Sequence, residues 1–231
     1  MTDINVLTWN LQGFKGGEIG SKIRWLLKEK NIHIACLQEV TSMGGWGNKN
    51  NAKTIIPFGD YDMYWVPWTG PKNGNARCSM AVLWHREWVA QLNIKYVDSI
   101  VASSRGIIFG NFSVGRNKFN LANYHGFGEG RIVEVIGHMR VNSCQVLRWM
   151  IFGDFNFEGK IAEDGVREVE EVQVLRSGQV TRPASGKELD YGFGSRQGVA
   201  KNSAVALDNG GLSDHLPVIA SISLGPTLFG H

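Results

Sequence analysis

The sequence predicts an α/β domain in which two packed sheets carry helices on their outer faces. Short apolar runs of strand length recur along most of the chain. Only a few segments repeat apolar residues at helical spacing, each with one apolar stripe that suits packing on a sheet. The 231 residues contain no linker, low-complexity tract or fixed-period repeat, so we expect a single domain over residues 1–231.

The composition excludes several classes of protein. With 43% hydrophobic and 19% charged residues, the chain has the composition of a folded protein with a core. No apolar run is long enough to span a bilayer, and residues 1–5 do not resemble the start of a signal peptide, so we expect neither feature in this chain. A net charge of +3 and a pI near 8.8 allow a polyanionic partner. Cys36, Cys78 and Cys144 lack zinc-site spacing, and we expect them to be buried apolar side chains.

The first part of the chain is predicted to be strand, helix, strand. An apolar run at residues 5–9 is the first strand, and a run at 32–37 that is interrupted by one histidine is a strand buried on both faces. The helix between them has its apolar stripe at Ile19, Ile23, Leu26 and Leu27. Later strands are predicted at residues 62–66, 79–84, 106–114, 118–125, 149–152, 189–193, 199–207 and 216–224, and helices at 132–139 and 163–171.

Polar side chains follow apolar strands at six places along the chain. They are Asn10, Gln38 with Glu39, His125, Asp154 with Asn156, Asp190, and Asp214 with His215. One Asn or His at such a position is usually a turn or structural residue. Strands packed in register can aim all of these groups at one rim, and we therefore predict a functional site there.

The residue types at this rim suit a magnesium-dependent phosphoesterase. Carboxylate and amide oxygens are the ligands that Mg²⁺ prefers, and the set lacks the thiolates typical of zinc and iron sites. Mg²⁺ polarises a phosphoryl oxygen, while a histidine beside a carboxylate takes a proton from the attacking water. Because Asp214 directly precedes His215, we expect Asp214 to orient that imidazole and make it basic. A second histidine would protonate the leaving group or stabilise the transition state.

Two further segments are candidates for contact with a substrate. Residues 41–51 are rich in Gly and Asn without periodicity, which predicts a surface loop with Trp46 near its middle. A group of aromatic residues can stack on bases, insert at a membrane surface, or simply pack in the core. These residues are Tyr61, Tyr64, Trp65 and Trp68.

The polar motifs, taken in order, resemble those of the deoxyribonuclease I-like superfamily of exonucleases, endonucleases and phosphatases. The matching segments are TWNLQG at residues 8–13, LQEV at 37–40, His125, GDFN at 153–156, LDY at 189–191 and SDHLPV at 213–218. They follow the family order and span nearly all of the chain. The resemblance implies a four-layer α/β sandwich of two mostly antiparallel sheets, with one endonuclease/exonuclease/phosphatase domain.

Within that superfamily the chain resembles in particular the catalytic subunits of cytolethal distending toxins. WNLQG at residues 9–13, RWMIFGDFN at 148–156 and LDY at 189–191 carry this likeness. It implies nuclease activity on DNA, and a phosphoinositide phosphatase activity is also attributed to the toxin family. For a toxin subunit it further implies secretion and delivery subunits as partners; otherwise the location would be cytoplasmic.

The resemblance implies which residues bind the metal and which transfer protons. Glu39 would bind Mg²⁺ with help from Asn10, and Mn²⁺ or Ca²⁺ are alternatives. His215, oriented by Asp214, would be the general base, and His125 the general acid.

The resemblance also implies which residues contact the phosphate. Asp154 and Asn156 would hold the scissile phosphate or a second metal, with the catalytic Asp190 nearby. Arg105 stands where the family places an arginine that binds the substrate phosphate.

Two departures from the family pattern affect these expectations. Pancreatic-type nucleases place a glutamate just before the strand at 79–84, where it supports the acid histidine, but this chain has RCS at residues 77–79. Another group would then have to orient His125. The toxin subunits tend to carry arginine directly after the DFN motif, where this chain has Phe157, so that phosphate contact is expected to be missing.

Three functions from different classes remain open on the sequence. The first is a DNA endonuclease whose basic residues track a phosphate backbone. The second is a phosphatase acting on inositol lipid headgroups, and the third is a catalytically weak relative that binds a partner. The basic residues are Arg116, Lys118, Arg131, Arg182, Lys187 and Arg196.

Overall fold

A computed structural model describes residues 2–13, 17–41, 53–67, 79–97, 106–126, 132–142, 148–167, 169 and 171–225. The helices in these ranges are α1 (Gly17–Glu29), α2 (Ile132–Asn142) and α3 (Gly159–Val166), with a short 3₁₀ turn at Pro183–Ser185. The strands are β1 (Thr2–Asn10), β2 (Ile34–Gln38), β3 (Ile55–Phe58), β4 (Tyr61–Val66), β5 (Met80–His85), β6 (Ala90–Val97), β7 (Ile107–Val114), β8 (Asn117–His125), β9 (Trp149–Asp154), β10 (Val172–Leu175), β11 (Asp190–Ser195), β12 (Val199–Ala206) and β13 (Val218–Leu224).

The strands form two mixed sheets that face each other. The first has the order β12-β13-β1-β2-β5-β4-β3, and the second β10-β11-β9-β8-β7-β6. Among the described strands, β1 and β2 are parallel in the first sheet and β8 and β9 in the second, while the other pairs are antiparallel. The prediction of two packed, mostly antiparallel sheets with helices outside is therefore confirmed.

Alternation along β1 separates the inner face of the first sheet from its outer face. Ile4 and Val6 are fully buried in the core between the sheets. Leu7 and Trp9 belong instead to a second core on the outer face, where α1 covers the sheet. The α1 residues in this outer core, Ile19, Ile23, Leu26 and Leu27, are those of the predicted stripe.

The second sheet repeats this arrangement with α2 and α3. On β9, Met150 and Phe152 point into the core between the sheets, whereas Trp149 and Ile151 pack on the outer face. The outer core of this sheet also contains Val135, Ile136 and Met139 of α2 and Ala162 and Val166 of α3. The molecule thus has four layers, helix, sheet, sheet and helix.

The elements that the sequence pattern missed are edge strands. β3 is one edge of the first sheet, and β6 and β10 are the two edges of the second. β6 and β10 mix polar with apolar residues, and β3 is a run of only four residues that includes Pro57, so none of the three gives a clear strand signal. The helix predicted at 163–171 was misplaced: α3 begins at Gly159 and ends at Val166, and Glu158 supplies no side-chain cap that would have marked its start.

The aromatic residues of β4 belong to the core rather than to a binding surface. Tyr61, Tyr64 and Trp65 are buried; the Tyr61 hydroxyl donates to the Ile32 carbonyl at 2.6 Å and the Trp65 indole to the Val40 carbonyl at 2.9 Å. Cys36 is buried and free, as expected. Trp68, Cys78, Cys144 and the loop around Trp46 lie outside the described residues. Over the described ranges, no helix combines the length and hydropathy needed to cross a bilayer.

The parallel pairs fix the position of the functional rim. β1 and β2 end at Asn10 and Gln38, and β8 and β9 end at His125 and Asp154. Because β1 faces β9 and β2 faces β8, these four carboxyl ends meet at one edge of the sandwich.

We predict that Gly153→Ala destabilises the fold at this rim. A Cβ at Gly153 would lie 1.8 Å from the Tyr124 carbonyl oxygen of β8, so the parallel ladder has to separate. The expected loss is about 3 kcal/mol or more in urea unfolding. The matched control is Gly165→Ala in α3, where a Cβ meets nothing within 4 Å and a gain of about 0.5–1 kcal/mol is expected. Equal stability of the two variants would contradict this packing.

Candidate active site

Asp154 is the side chain at which the two sheets meet. Its carboxylate accepts a hydrogen bond from Asn10 Nδ2 of the opposite sheet at 2.8 Å. It also accepts one from the Asn156 backbone N–H at 2.8 Å and one from Asn156 Nδ2 at 3.3 Å. The side chain is 1% exposed, so these donors replace the water that an ionised carboxylate would otherwise hold.

Both predicted histidines face this carboxylate. Asp154 Oδ2 lies 3.7 Å from His125 Nε2 and 3.8 Å from His215 Nε2. Glu39 Oε1 lies 3.8 Å from the same nitrogen of His125. The structure therefore brings together the residues predicted from separate strand ends.

The structure corrects the predicted partner that orients His215. The Nδ1 atom of His215 lies 2.7 Å from Asp190 Oδ2, and both side chains are buried. Asp214, which was expected in this role, lies 3.8 Å from the other ring nitrogen, Nε2. Adjacency in sequence suggested Asp214, but residues 212–215 form a bend in which the Asp214 carboxylate does not reach Nδ1, and the antiparallel strand β11 supplies the orienting carboxylate instead.

Asp190 is placed by β11 and by one buried threonine. Asp190 is the register partner of Asp154 across β11 and β9, which brings the two carboxylates side by side. The Thr181 hydroxyl accepts hydrogen bonds from the backbone N–H groups of Leu189 and Asp190 at 2.9 and 3.0 Å. The Thr181 carbonyl accepts the N–H of Leu216 at 2.7 Å, so the same residue also holds the segment that carries His215.

The segment that carries His215 is also fixed to β1. The His215 carbonyl accepts hydrogen bonds from Trp9 Nε1 at 2.9 Å and from Asn209 Nδ2 at 2.6 Å. The Ser213 hydroxyl donates to the Asn10 carbonyl at 2.7 Å and accepts the His215 N–H at 3.1 Å. The imidazole is therefore held from its backbone as well as from its Nδ1 atom.

Glu39 sits on a turn that is joined to the end of β1. The Leu11 and Gly13 N–H groups donate to the Gln38 and Glu39 carbonyls at 2.9 and 3.2 Å. Glu39 has a φ of 54°, a left-handed conformation that is uncommon for a residue with a long side chain. Gln12 and Asn156 also adopt positive φ, at 51° and 50°. Such backbone strain persists where surrounding contacts impose it, and here it clusters at the rim.

A buried polar layer beneath the rim fixes the spacing of the sheets. Asn123 of β8 donates to the carbonyls of Leu37 on β2 and Ala81 on β5, both at 2.9 Å. Gln38 Nε2 donates to Asn123 Oδ1 at 2.7 Å. Since Gln38 precedes Glu39 and Asn123 lies two residues before His125, this layer sets the distance between Glu39 and His125.

The buried charges shift the pKa values of two site residues. Burial and the negative charge of Asp190 raise the pKa of Asp154 to about 6. Burial lowers the pKa of His215, but the charge of Asp190 and its hydrogen bond, with the charges of Asp154 and Asp214, raise it to about 9 overall. Without a cation, the imidazole is therefore protonated at neutral pH.

The donor set suits a hard divalent cation. Asp154, Asp190 and His215 offer ligand atoms within 4.8 Å of one another, and Asp190 Oδ1 is buried with no hydrogen-bond donor among the described residues. His215 Nδ1 and Asp190 Oδ2 already bond each other, so His215 could reach a cation only through Nε2, and the other ligand atoms of this group are carboxylate oxygens. The excess of carboxylates over histidines gives the rim a negative charge that a cation would balance.

The other residues that were expected to contact a substrate do not all lie at the rim. Arg105 and Arg131 lie outside the described residues. Arg116 lies between β7 and β8, Lys118 is the second residue of β8 and Arg196 follows β11, all at the end of the sandwich opposite the rim. Arg182 and Lys187 lie near the rim, beside Thr181. Phe157 packs against the outer core of the second sheet and replaces the missing arginine with an apolar contact. No carboxylate precedes β5, but Glu39 and Asp154 both lie within 4 Å of His125 Nε2.

Several residues of the site were not predicted from the sequence. Thr181 had no signal, because a threonine in a loop is common and its partner Asp190 is set by strand pairing. Asn209 lies before Gly210 and Gly211, a recognisable turn, but its bond to the His215 carbonyl depends on how the following segment folds back. Gln38 was predicted as a strand-end residue but not as a bridge between the sheets, and Asn123 was hidden inside an apolar strand.

Comparisons with known proteins agree with the geometry. The family described as the Endonuclease/Exonuclease/phosphatase family matches residues 7–215. The human Nocturnin catalytic domain is similar in structure, with a TM-score of 0.73, 16% identity and coverage of 96% of this chain and 94% of that one. TDP2 of D. rerio complexed with single-strand DNA product gives a TM-score of 0.65, 13% identity and coverage of 96% and 100%. The Haemophilus ducreyi cytolethal distending toxin gives a TM-score of 0.61 and 19% identity, with coverage of 96% of this chain and 98% of that one. No curated protein matches.

The paired arrangement of Asp190 and His215 predicts an unusual titration. In chelator-treated protein, the His215 ring should keep its second proton up to about pH 9. Burial still disfavours the imidazolium in Asp190→Asn, and the variant loses a charge and a hydrogen bond that favour it, so the pKa of His215 should fall. NMR titration of the ring nitrogens measures both values, with the distant His33 as an internal control. A His215 pKa that Asp190→Asn leaves unchanged would contradict the pairing.

Proposed function

This chain belongs to the endonuclease/exonuclease/phosphatase family of phosphoesterase hydrolases, and we propose that it is a magnesium-dependent phosphodiesterase that hydrolyses DNA. The observation that supports this most directly is the Asp190–His215 pair. Its His215 Nε2 lies 3.8 Å from Asp154 Oδ2, at a rim that also carries Glu39 and His125. This arrangement supplies a base, an acid and oxygen ligands on one surface.

His215 is proposed as the general base. Asp190 fixes its tautomer, so that Nε2 is the atom that takes the proton from the attacking water. The imidazole has to be neutral to do this. Neutralising the charge of Asp154 would remove one of the contributions that raise the pKa of His215, so cation binding and base function are coupled.

His125 is proposed as the general acid. Its ring is 1% exposed, and its Nε2 lies 3.8 Å from Glu39 Oε1 and 3.7 Å from Asp154 Oδ2, so this nitrogen faces the rim. From there it would give a proton to the leaving oxygen. His215 would thus act on the nucleophile and His125 on the leaving group.

Glu39 and Asn10 are proposed as the residues that hold Mg²⁺. Asn10 ends β1 and Glu39 directly follows β2, the neighbouring parallel strand, and both side chains can offer an oxygen ligand. When bound, Mg²⁺ would polarise the phosphoryl oxygen and stabilise charge on the leaving oxygen. Asp154 and Asn156 would orient the scissile phosphate, although both Asn156 Nδ2 contacts are at present to Gly126 and Asp154.

One comparison favours DNA over the headgroup of an inositol lipid. The net charge of +3 suits either polyanion. A structurally similar protein, TDP2 of D. rerio, is seen with a single-strand DNA product. Toxin delivery subunits remain a prediction from the sequence resemblance.

Plasmid nicking tests the proposed function. Supercoiled DNA should be nicked in Mg²⁺ and not after chelation, and His215→Ala should lower the rate by about 10²–10⁴-fold, the usual contribution of a general base. His33→Gln, at the opposite end of β2, is the matched control and should keep the wild-type rate.

Phosphate release from a phosphoinositide is measured with the same proteins. Lipid turnover without nicking would support the phosphatase alternative. Nicking that ignores chelation, or that is undiminished in His215→Ala, would overturn the mechanism.

A further inference from the structure

Arg182 stands out among the basic residues because it contacts the site. Its Nη2 lies 3.3 Å from Asp214 Oδ2, and Asp214 Oδ1 lies 3.8 Å from His215 Nε2. One carboxylate therefore separates the guanidinium from the proposed base. The side chain is 38% exposed, so it remains open to a ligand.

The guanidinium has hydrogen-bonding capacity that the protein leaves unused. Its Nε is buried and has no acceptor among the described residues. The guanidinium is planar and has five N–H donors, and the contact with Asp214 uses Nη2 alone. Because Arg is always charged, the unused donors favour an anion at this point.

The backbone of Arg182 is rigid. Its N–H donates to the Lys187 carbonyl at 3.0 Å, and its carbonyl accepts the N–H groups of Ser185 and Gly186, both at 3.1 Å. The preceding Thr181 holds Asp190 and the His215 segment. The guanidinium is thus attached to the same anchor as the proposed base and its orienting carboxylate.

We propose that Arg182 binds the phosphate next to the scissile phosphate in a DNA strand. This inference rests on the proposed function and specifies its substrate as a strand with successive phosphates. Each strand of DNA carries a phosphate for every 3.4 Å or so of helix axis, which places a second anion beside the one at His215. Arginine suits this contact because its fork matches two phosphate oxygens, while Asp214 keeps the fork oriented.

The test is the salt dependence of DNA binding in Mg²⁺, measured by fluorescence anisotropy in a His215→Ala background that does not cleave. Adding Arg182→Gln should weaken binding about tenfold and reduce the slope of log K against log salt by about 0.9, the value for one phosphate contact. Arg182→Lys should restore most of the slope. A purely structural role would change affinity without changing the slope.

Arg86→Gln is the matched control. Arg86 is also exposed, at 48%, and pairs with Asp62 at 3.2 Å, but it lies at the far end of β5. The two variants lose the same charge, so an equal loss of slope in Arg86→Gln would show a general field effect and overturn the inference.

The remaining outcomes separate this inference from the proposed function. DNA binding with an unchanged slope in Arg182→Gln would overturn only the role of Arg182. Absence of DNA binding in the His215→Ala background would overturn both. A soluble inositol phosphate is the last competitor. If it displaces DNA, binds more tightly than DNA and loses affinity in Arg182→Gln, the contact belongs to a headgroup and the DNA assignment is overturned.

Discussion

Two buried carboxylates beside one imidazole form the constraint on which the rim depends. Asp154 and Asp190 are register partners on adjacent strands, and both are almost completely removed from water. Their repulsion and desolvation are costly unless donors and a positive charge compensate them. Asn10 and Asn156 provide the donors and His215 the charge, so the two sheets and the His215 segment are all tied to this pair.

The fold explains how these groups come together. Parallel strands deliver Asn10 and Glu39 from one sheet and His125 and Asp154 from the other, since their carboxyl ends share a rim. The buried amide of Asn123 bridges to two strands of the opposite sheet, which fixes the gap across which Glu39 and His125 face each other. Function and fold are therefore coupled through the spacing of the sheets.

Much of this could be predicted from the sequence, and the exceptions share a cause. The strands that end in the candidate site residues are apolar on both faces, so the runs before Glu39 and Asp154 were recognisable. Edge strands such as β6 were not, because half-exposed residues carry a weak pattern. The partner of His215 was assigned to Asp214 from adjacency, whereas strand pairing, which a single sequence does not reveal, brings Asp190 to the ring. Thr181 and Asn209 were missed because their hydrogen bonds to Asp190 and His215 start from irregular segments, which leave no pattern in the sequence.

In the proposed mechanism Asp190 and His215 act as one catalytic unit, and a double-mutant cycle on the turnover number for DNA cleavage in Mg²⁺ tests this directly. Asp190→Asn should slow cleavage strongly, His215→Ala should slow it further, and the double variant should be no slower than His215→Ala alone, because the carboxylate acts only through the imidazole. Losses that multiply in the double variant would show that the two residues act independently and would contradict the account.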